Sequence, residues 1–490
     1  MAKYDLVTVK LWGMVVGYLI NDGKRYLFEY EPEFATSGLE ISPFKMKLGT
    51  DVYLFPELTR MEGFNGLPGV FADSLPDRFG QKVLAKYFEK LGIPEQDVPL
   101  FAKLLYIGKR GMGALEYEPD QFPKMSSETD LEITNLWKRS KKILEGKIET
   151  STDQIFRYAG TAGGARAKAI ILYDPITKNI KNPFLENAPK EFESWIIKFD
   201  GVEKSKTQPY ERLEYIYNKM AILAGLNVPQ IDYVEENGRF HFLVKRFDRK
   251  GEEKIHMATL AGLLHIDLYD QRSVAYDVLL KTTRTLTNDA AQVEEAFARA
   301  VFNIMTQNQD DHVKNHSFLM DKSGKWSLSP VYDILYTPRV NKWFDGGQQM
   351  TINGKSENIN RSDLELMGKS WGILRPGEII DRVLSAINEK EFMILTKEFG
   401  LHKLFPEITN IVASVIKGRS GLLVKESGYG WKGNDTPVNE INPVNDNNEN
   451  SDNTGRRCKS GNACANPKKN VTVRRKSGYC WECHKNLNKP

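Results

Sequence analysis

Asn308-Gln309-Asp310-Asp311-His312-Val313-Lys314-Asn315 is the stretch on which the reading of the fold turns. Asp310 precedes Asn315 by five positions, a D-x-x-x-x-N spacing, and Asp333 follows Asn315 by eighteen, inside Ser329-Pro330-Val331-Tyr332-Asp333-Ile334. A short strand is expected between them, at 325–328. Phosphoryl transfer needs these groups in this order: one carboxylate orients the attacking hydroxyl, and an amide and a second carboxylate hold magnesium. Each acid taken singly also fits a turn or a helix cap. Their joint order points to a phosphotransfer site, with Asp310 catalytic and Asn315 and Asp333 as Mg²⁺ ligands.

Upstream lie a phosphate cradle and a cation to go with them. Gly160-Thr161-Ala162-Gly163-Gly164-Ala165-Arg166-Ala167-Lys168 stands just before an apolar run, Ala169 to Tyr173. Glycines let backbone N–H groups approach anionic oxygens, although the same pattern also serves a plain tight turn. The next strand expected, Ser194-Trp195-Ile196-Ile197-Lys198-Phe199, carries one lysine among apolar residues. Lys198 must either reach the surface or meet an anion, because an unpaired buried charge is costly. A helix is expected from Glu211 to Ala224, ending at Gly225, and a further strand from Phe240 to Phe247. Residues 256 to about 430 read as largely helical, interrupted by a loop region from 308 to 338.

Several of these stretches resemble the HipA family of toxin kinases. The resemblance rests on DDHVKNHSF (310–318) and SPVYDIL (329–335), on GLPGVFADSLPDRFG (66–80), GKRGMGALEYEP (108–119) and FLVKRFDR (242–249), and on GGARAK (163–168) and WIIKF (195–199). It extends over roughly residues 4–425. It implies an ATP-dependent serine/threonine protein kinase, with Lys198 on the ATP phosphates and the 160–168 loop, including Thr161, Ala162, Gly163, Gly164 and Lys168, around them. It also implies a hinge at Lys245-Arg246-Phe247 whose backbone holds adenine. Thr161 occupies the position that family members autophosphorylate, which ejects the loop and stops ATP binding. Lys314 and His312 become candidates for supporting charge beside Asp310, and Glu214 for pairing with Lys198. The family's targets include an aminoacyl-tRNA synthetase, and its usual partner is a HipB-like DNA-binding antitoxin.

The N-terminal third reads as strands, then helices. Val7, Val9 and Leu11 alternate with more polar neighbours, Tyr26 to Tyr30 is a second strand candidate, and Leu75-Pro76-Asp77 precedes a helical apolar spacing. The expected fold is therefore α+β: a kinase-like two-lobed body with an N-terminal β-rich subdomain (1–123), an N-lobe (150–250) and a mainly helical C-lobe (251–432). Hydrophobic residues at 41% and charged residues at 27% suit a water-soluble globular chain. With no signal-peptide pattern and no apolar run long enough to cross a bilayer, the expectation is a cytoplasmic protein with no membrane partner.

Beyond this body, residues 433–455 are rich in Asn, Asp and Pro and poor in apolar side chains, the composition of a disordered linker. All four cysteines follow, as Cys458-x5-Cys464-x15-Cys480-x2-Cys483. Two thiol pairs in a reducing compartment suggest a small zinc-ribbon-like module (456–490) holding structural Zn²⁺, with His484 as a substitute ligand; reduced free thiols are the alternative. This tail holds ten Lys or Arg against a single acid, Glu482, with Tyr479 and Trp481 among them. Such a segment suits contact with DNA or tRNA, although solvated charge or a protein partner fits it too. The rival to an active kinase is thus a nucleic-acid-binding regulator or corepressor with an inactive or nucleotide-sensing kinase-like body.

Overall fold

Alternation over the first residues builds the first sheet. In strand β1 (Leu6–Leu11), Val7, Val9 and Leu11 are fully buried while the residues between them reach solvent. β1 pairs antiparallel with β2 (Met14–Asn21) and, on its other side, with β5 (Leu115–Glu118). With β3 (Tyr26–Tyr30) and β4 (Val52–Leu54) the order is β4-β3-β2-β1-β5. The computed structural model describes residues 5–121, 131–145, 166–185, 187–202, 209–267, 274–338 and 346–423. The expected linker at 433–455 and the four-cysteine module lie outside the described residues, as does the loop from Gly160 to Ala165.

A second antiparallel sheet has the order β7-β6-β8-β10-β9, from β6 (Lys168–Tyr173), β7 (Ile180–Lys181), β8 (Glu193–Lys198), β9 (Ile231–Glu236) and β10 (Arg239–Lys245). All six residues of β6 are buried, so it reads as a continuous apolar run rather than an alternation. Helices from outside this lobe help to bury it. Phe79 and Val83, from the helix Arg78–Lys90, and Leu136 and Trp137, from the helix Ile133–Leu144, share one core with Ala169, Ile171, Trp195 and Ile197. The first sheet meanwhile shares its core with the C-terminal helices. Residues 5–121 thus form their own sheet and a small core of their own, around Leu84, Phe88, Ala102 and Tyr106, while their other buried side chains join the two shared cores; the described residues all fall in one compact unit.

The remaining strands hold the loop quoted first. After a short ribbon (β11, Arg249–Lys250; β12, Glu253–Lys254) comes a three-stranded sheet, β13 (His256–Thr259), β14 (Ser317–Met320) and β15 (Trp326–Leu328), in sequence order. β14 starts two residues after Asn315, and Asp333 lies five past the end of β15. Helices surround this sheet, among them Tyr276–Thr287 and Ala290–Met305, the latter capped by Asp289 accepting from the Ala291 N–H at 2.9 Å. None of the helices among the described residues is long and apolar enough to cross a membrane.

The N-terminal sheet docks by close backbone approach. A Cβ on Gly262 would sit 2.1 Å from Asp73 Oδ2, and one on Gly69 would sit 2.2 Å from the Gly262 carbonyl oxygen. Only glycine allows the short helices Gly69–Ala72 and Leu260–Leu264 to touch there. His265 completes the contact, its Nε2 accepting from the Gly69 N–H at 3.0 Å.

That bond requires a neutral imidazole, and burial lowers the His265 pKa to about 4. A depressed histidine contributes stability above the unfolded value, near pH 6.5, that is lost as pH falls toward about 4. Urea unfolding at pH 7 and pH 5 checks this. His265→Gln, whose amide oxygen can still accept from Gly69, should lose about 2 kcal/mol less than wild type between the two pH values. Equal losses would contradict the assignment.

Candidate active site

Strand register brings two lysines face to face. β6 and β8 pair antiparallel with Lys168 directly opposite Lys198, so both side chains leave the same face of the sheet. Lys168 is 1% exposed and Lys198 is 8% exposed. Like charges directly opposed are destabilising, and buried ammonium groups need anions. Three carboxylates from three separate regions supply them. Asp77 Oδ2 lies 2.7 Å from Lys168 Nζ, and Glu214 Oε1, from the helix Tyr210–Leu223, lies 2.6 Å from Lys198 Nζ. Asp333 Oδ1 accepts a second hydrogen bond from Lys198.

The charges then set each other's titration. Burial alone would raise the Asp333 pKa, but Lys198, Lys168 and Arg166 hold it well below the usual carboxylate range. Burial alone would lower Lys198, and the charges of Asp333 and Glu214 more than reverse it, so the ammonium is retained. For Lys168 burial prevails, and its pKa is lowered despite Asp77 and Asp333. Asp333 also adopts a left-handed backbone, φ 54°, which a short polar residue tolerates at some cost. Arg166, at the end of the glycine-rich stretch, stacks its guanidinium on Tyr210 at 3.6 Å.

Asp310 and Asp311, adjacent in sequence, have opposite surroundings. Asp311 is buried, accepting from the Tyr276 hydroxyl at 2.8 Å, the Gln349 N–H at 2.7 Å and Gln348 Nε2 at 3.1 Å. Burial pushes its pKa up to about 6. The Asp310 side chain is 51% exposed. Gln349 Nε2 donates to its Oδ1 at 2.9 Å, its own N–H donates to Thr337 Oγ1, and Asn315 Nδ2 donates to its carbonyl at 2.8 Å. A half-exposed carboxylate on a backbone fixed at both ends suits a group that must meet an incoming hydroxyl. Asp311 is the anchor that fixes it.

The other sequence candidates fall in different places. His312 is largely buried, with Nε2 3.8 Å from Asp310 Oδ1. Burial lowers its pKa while Asp310 and Asp333 both pull it up, so His312 stands within the fields of both carboxylates. The charge of Lys314 bears both on His312 and on buried Asp73. Asn315 spends its amide N–H on Asp310, which leaves its carbonyl oxygen for a cation; with the Asp333 carboxylate this is an oxygen donor set of the kind magnesium takes.

At the hinge, the strand ends at Lys245 rather than at Phe247. The Lys245 N–H donates to the Gln230 carbonyl and the Arg246 N–H to that of Ser194, so neither amide remains for a base. The Arg246 side chain is buried against Asp248 and the Gly111 carbonyl, and Lys245 Nζ pairs with Glu193 at 2.6 Å. The Phe247 ring lies 5.7 Å from that of Tyr332. Thr161, Ala162, Gly163 and Gly164 lie outside the described residues, as do Cys458, Cys464, Cys480 and Cys483. Among the described residues no cluster of His, Cys, Asp and Glu could hold a metal by itself.

Two residues escaped the sequence reading. Asp77 was legible as a helix cap, and its Oδ1 does accept from the Gly80 N–H at 2.6 Å, but its ion pair reaches 91 positions along the chain. Gln349 lies in no motif that spacing could single out.

This arrangement is that of a kinase-like two-lobed α+β protein with an added N-terminal sheet. The family description "HipA N-terminal domain" matches residues 7–118 and "HipA-like C-terminal domain" matches residues 160–391, together more than half of the chain. The chain belongs to the HipA family. It is similar to the serine/threonine-protein kinase toxin HipA of Shewanella oneidensis, 30% identical over 172 residues that make up 30% of this chain and 39% of that one. A relative from Haemophilus influenzae is 32% identical over 125 residues, 23% of this chain and 36% of that one. The aligned stretches thus span less than two-fifths of each of these relatives. The solved Shewanella oneidensis complex of HipA, HipB and operator DNA shares the fold, with a TM-score of 0.59 and 17% identity over 85% of this chain and 97% of that chain.

The contrast between the two aspartates is testable by urea unfolding. Asp311→Ala leaves three buried donors unmatched and should cost about 3 kcal/mol or more. Asp310→Ala should cost less than about 1 kcal/mol, as at other partly exposed positions. Equal costs would contradict the division of roles.

Proposed function

We propose that the chain is a Mg-ATP-dependent serine/threonine protein kinase. The observation that carries this reading is the pairing of a half-exposed, anchored Asp310 with a cluster of buried Lys198 and Glu214 and partly exposed Asp333. Asp310 accepts the proton of a Ser or Thr hydroxyl as its oxygen bonds to the γ-phosphorus, and the bond to the β-phosphate oxygen breaks to release ADP. Lys198 neutralises phosphate charge from a position fixed by Glu214. Magnesium held by Asn315 and Asp333 would supply charge neutralisation between the phosphates. Burial disfavours a charge on His312, which stands in the fields of both carboxylates.

Further assignments rest on family membership. Thr161 is the residue for self-phosphorylation, an aminoacyl-tRNA synthetase is the class of external substrate, and a HipB-like antitoxin on operator DNA is the partner. Outside the reach of the family resemblance, the tail is assigned to DNA or tRNA on its ten basic residues, and its four cysteines, on their spacing, to the thiolates of one structural zinc.

Incubation with Mg-ATP followed by peptide mass spectrometry tests the reading. Wild type should gain phosphate at Thr161, and Asp310→Asn should lower the rate by about 100-fold or more. Protein that binds no ATP and transfers no phosphate, yet binds nucleic acid through residues 456–490, would replace this reading with the regulator.

A further inference from the structure

Asp77 comes from the segment that joins the N-terminal sheet to the helix Arg78–Lys90, far in sequence from every other group in the site. Its two carboxylate oxygens have separate duties. Oδ1 caps the helix by accepting from the Gly80 N–H at 2.6 Å, and Oδ2 lies 2.7 Å from Lys168 Nζ. Both members of the ion pair are shielded from water, with side chains 12% and 1% exposed. The same segment also reaches the other lobe. Asp73, four residues earlier, accepts from the Thr259 N–H at 2.7 Å and from the Thr259 hydroxyl at 2.8 Å, at the end of β13. Between them, Ser74 accepts from the Tyr117 hydroxyl at 2.7 Å, which ties the segment to β5. Residues 73–77 thus bridge the sheet that carries Lys168 and Lys198 to the sheet that carries the catalytic loop.

Lys168 stands directly opposite Lys198, whose ammonium is hydrogen-bonded to Asp333, so that among the described residues both Asp77 and Asp333 lie within its field. A buried ammonium deprived of one anion turns to the next. Without the Asp77 charge, Lys168 would draw on Asp333, the carboxylate assigned to magnesium. We propose that Asp77 is a positioning residue of the nucleotide site: it holds Lys168 away from Asp333 and so keeps Asp333 free for the Mg-ATP complex. The N-terminal sheet is then part of the nucleotide-binding apparatus. This inference rests on the kinase reading above, because it assumes that Asp333 and Lys168 face Mg-ATP.

The two duties of Asp77 can be separated. Asparagine and serine cap helices about as well as aspartate, so Asp77→Asn and Asp77→Ser keep the cap and remove only the charge. Calorimetric titration with Mg-ATP, beside steady-state ATP turnover and thermal melting, decides the matter. Both variants should bind Mg-ATP about ten-fold more weakly, with KM raised in parallel and kcat changed less than about three-fold, while remaining folded at the assay temperature. A lower kcat with unchanged affinity, or affinity equal to wild type in both variants, would overturn the role given to Asp77 and leave the kinase reading intact. Wild-type protein that binds no Mg-ATP would overturn the kinase reading, and this inference with it.

Discussion

Two lysines placed opposite one another on adjacent strands, and both buried, impose the constraint from which the rest of the site follows. Neither can shed its charge to solvent, and their mutual repulsion in a low-dielectric setting has to be offset by anions. The protein meets that demand with Asp77, Glu214 and Asp333, one each from the N-terminal region, the helix of the N-lobe and the segment after β15. Elements scattered along more than 250 residues are drawn to one point by this charge balance. On the proposed function, a polyphosphate with its metal would take the place that Asp333 holds beside Lys198.

Around that point the lobes are joined by polar contacts as well as by packing. Asp248, fully buried, holds Arg246 and Arg249 and accepts from the Gly113 N–H at 2.7 Å, so the end of the hinge is fastened to the loop before β5. Asp73 and His265 fasten the other side, near the catalytic loop. Opposite the lysines, the three-stranded sheet presents Asp310 and Asp333 from the two ends of one short excursion, through β14 and β15. The buried Asp311 fixes the first of these ends, and the left-handed backbone at Asp333 shapes the second.

Much of this was legible where the signal is local. The alternation of Val7, Val9 and Leu11 marked the strand that buries them, and Asp77 before an apolar spacing marked a helix that it does cap. The helix expected from Glu211 to Ala224 runs from Tyr210 to Leu223, with Gly225 at φ 73° just past its end. Asp310, Asn315, Asp333 and Lys198 stood out because short motifs encode them. Long-range pairings left no such trace. Nothing in the sequence joins Asp77 to Lys168, gives Gln349 to Asp310, or shows that Asp311 rather than its neighbour would be buried. The strand expected from Phe240 to Phe247 ends two residues earlier, at Lys245, because its apolar run gives no sign that Arg246 turns inward to Asp248. Which buried side chains of the N-terminal region pack among themselves, as Leu84, Phe88, Ala102 and Tyr106 do, and which join the cores of the rest of the body left no sequence signal either.

On the proposed function, Asp333 exchanges Lys198 for the metal of a nucleotide complex. A crystal structure with magnesium and a non-hydrolysable ATP analogue tests it most directly. The account predicts the metal on Asn315 and Asp333, Lys198 turned to phosphate oxygens while still paired with Glu214, and the Asp77–Lys168 pair unbroken. A bound nucleotide that leaves the Lys198–Asp333 pair intact, with no metal on Asp333, would contradict it.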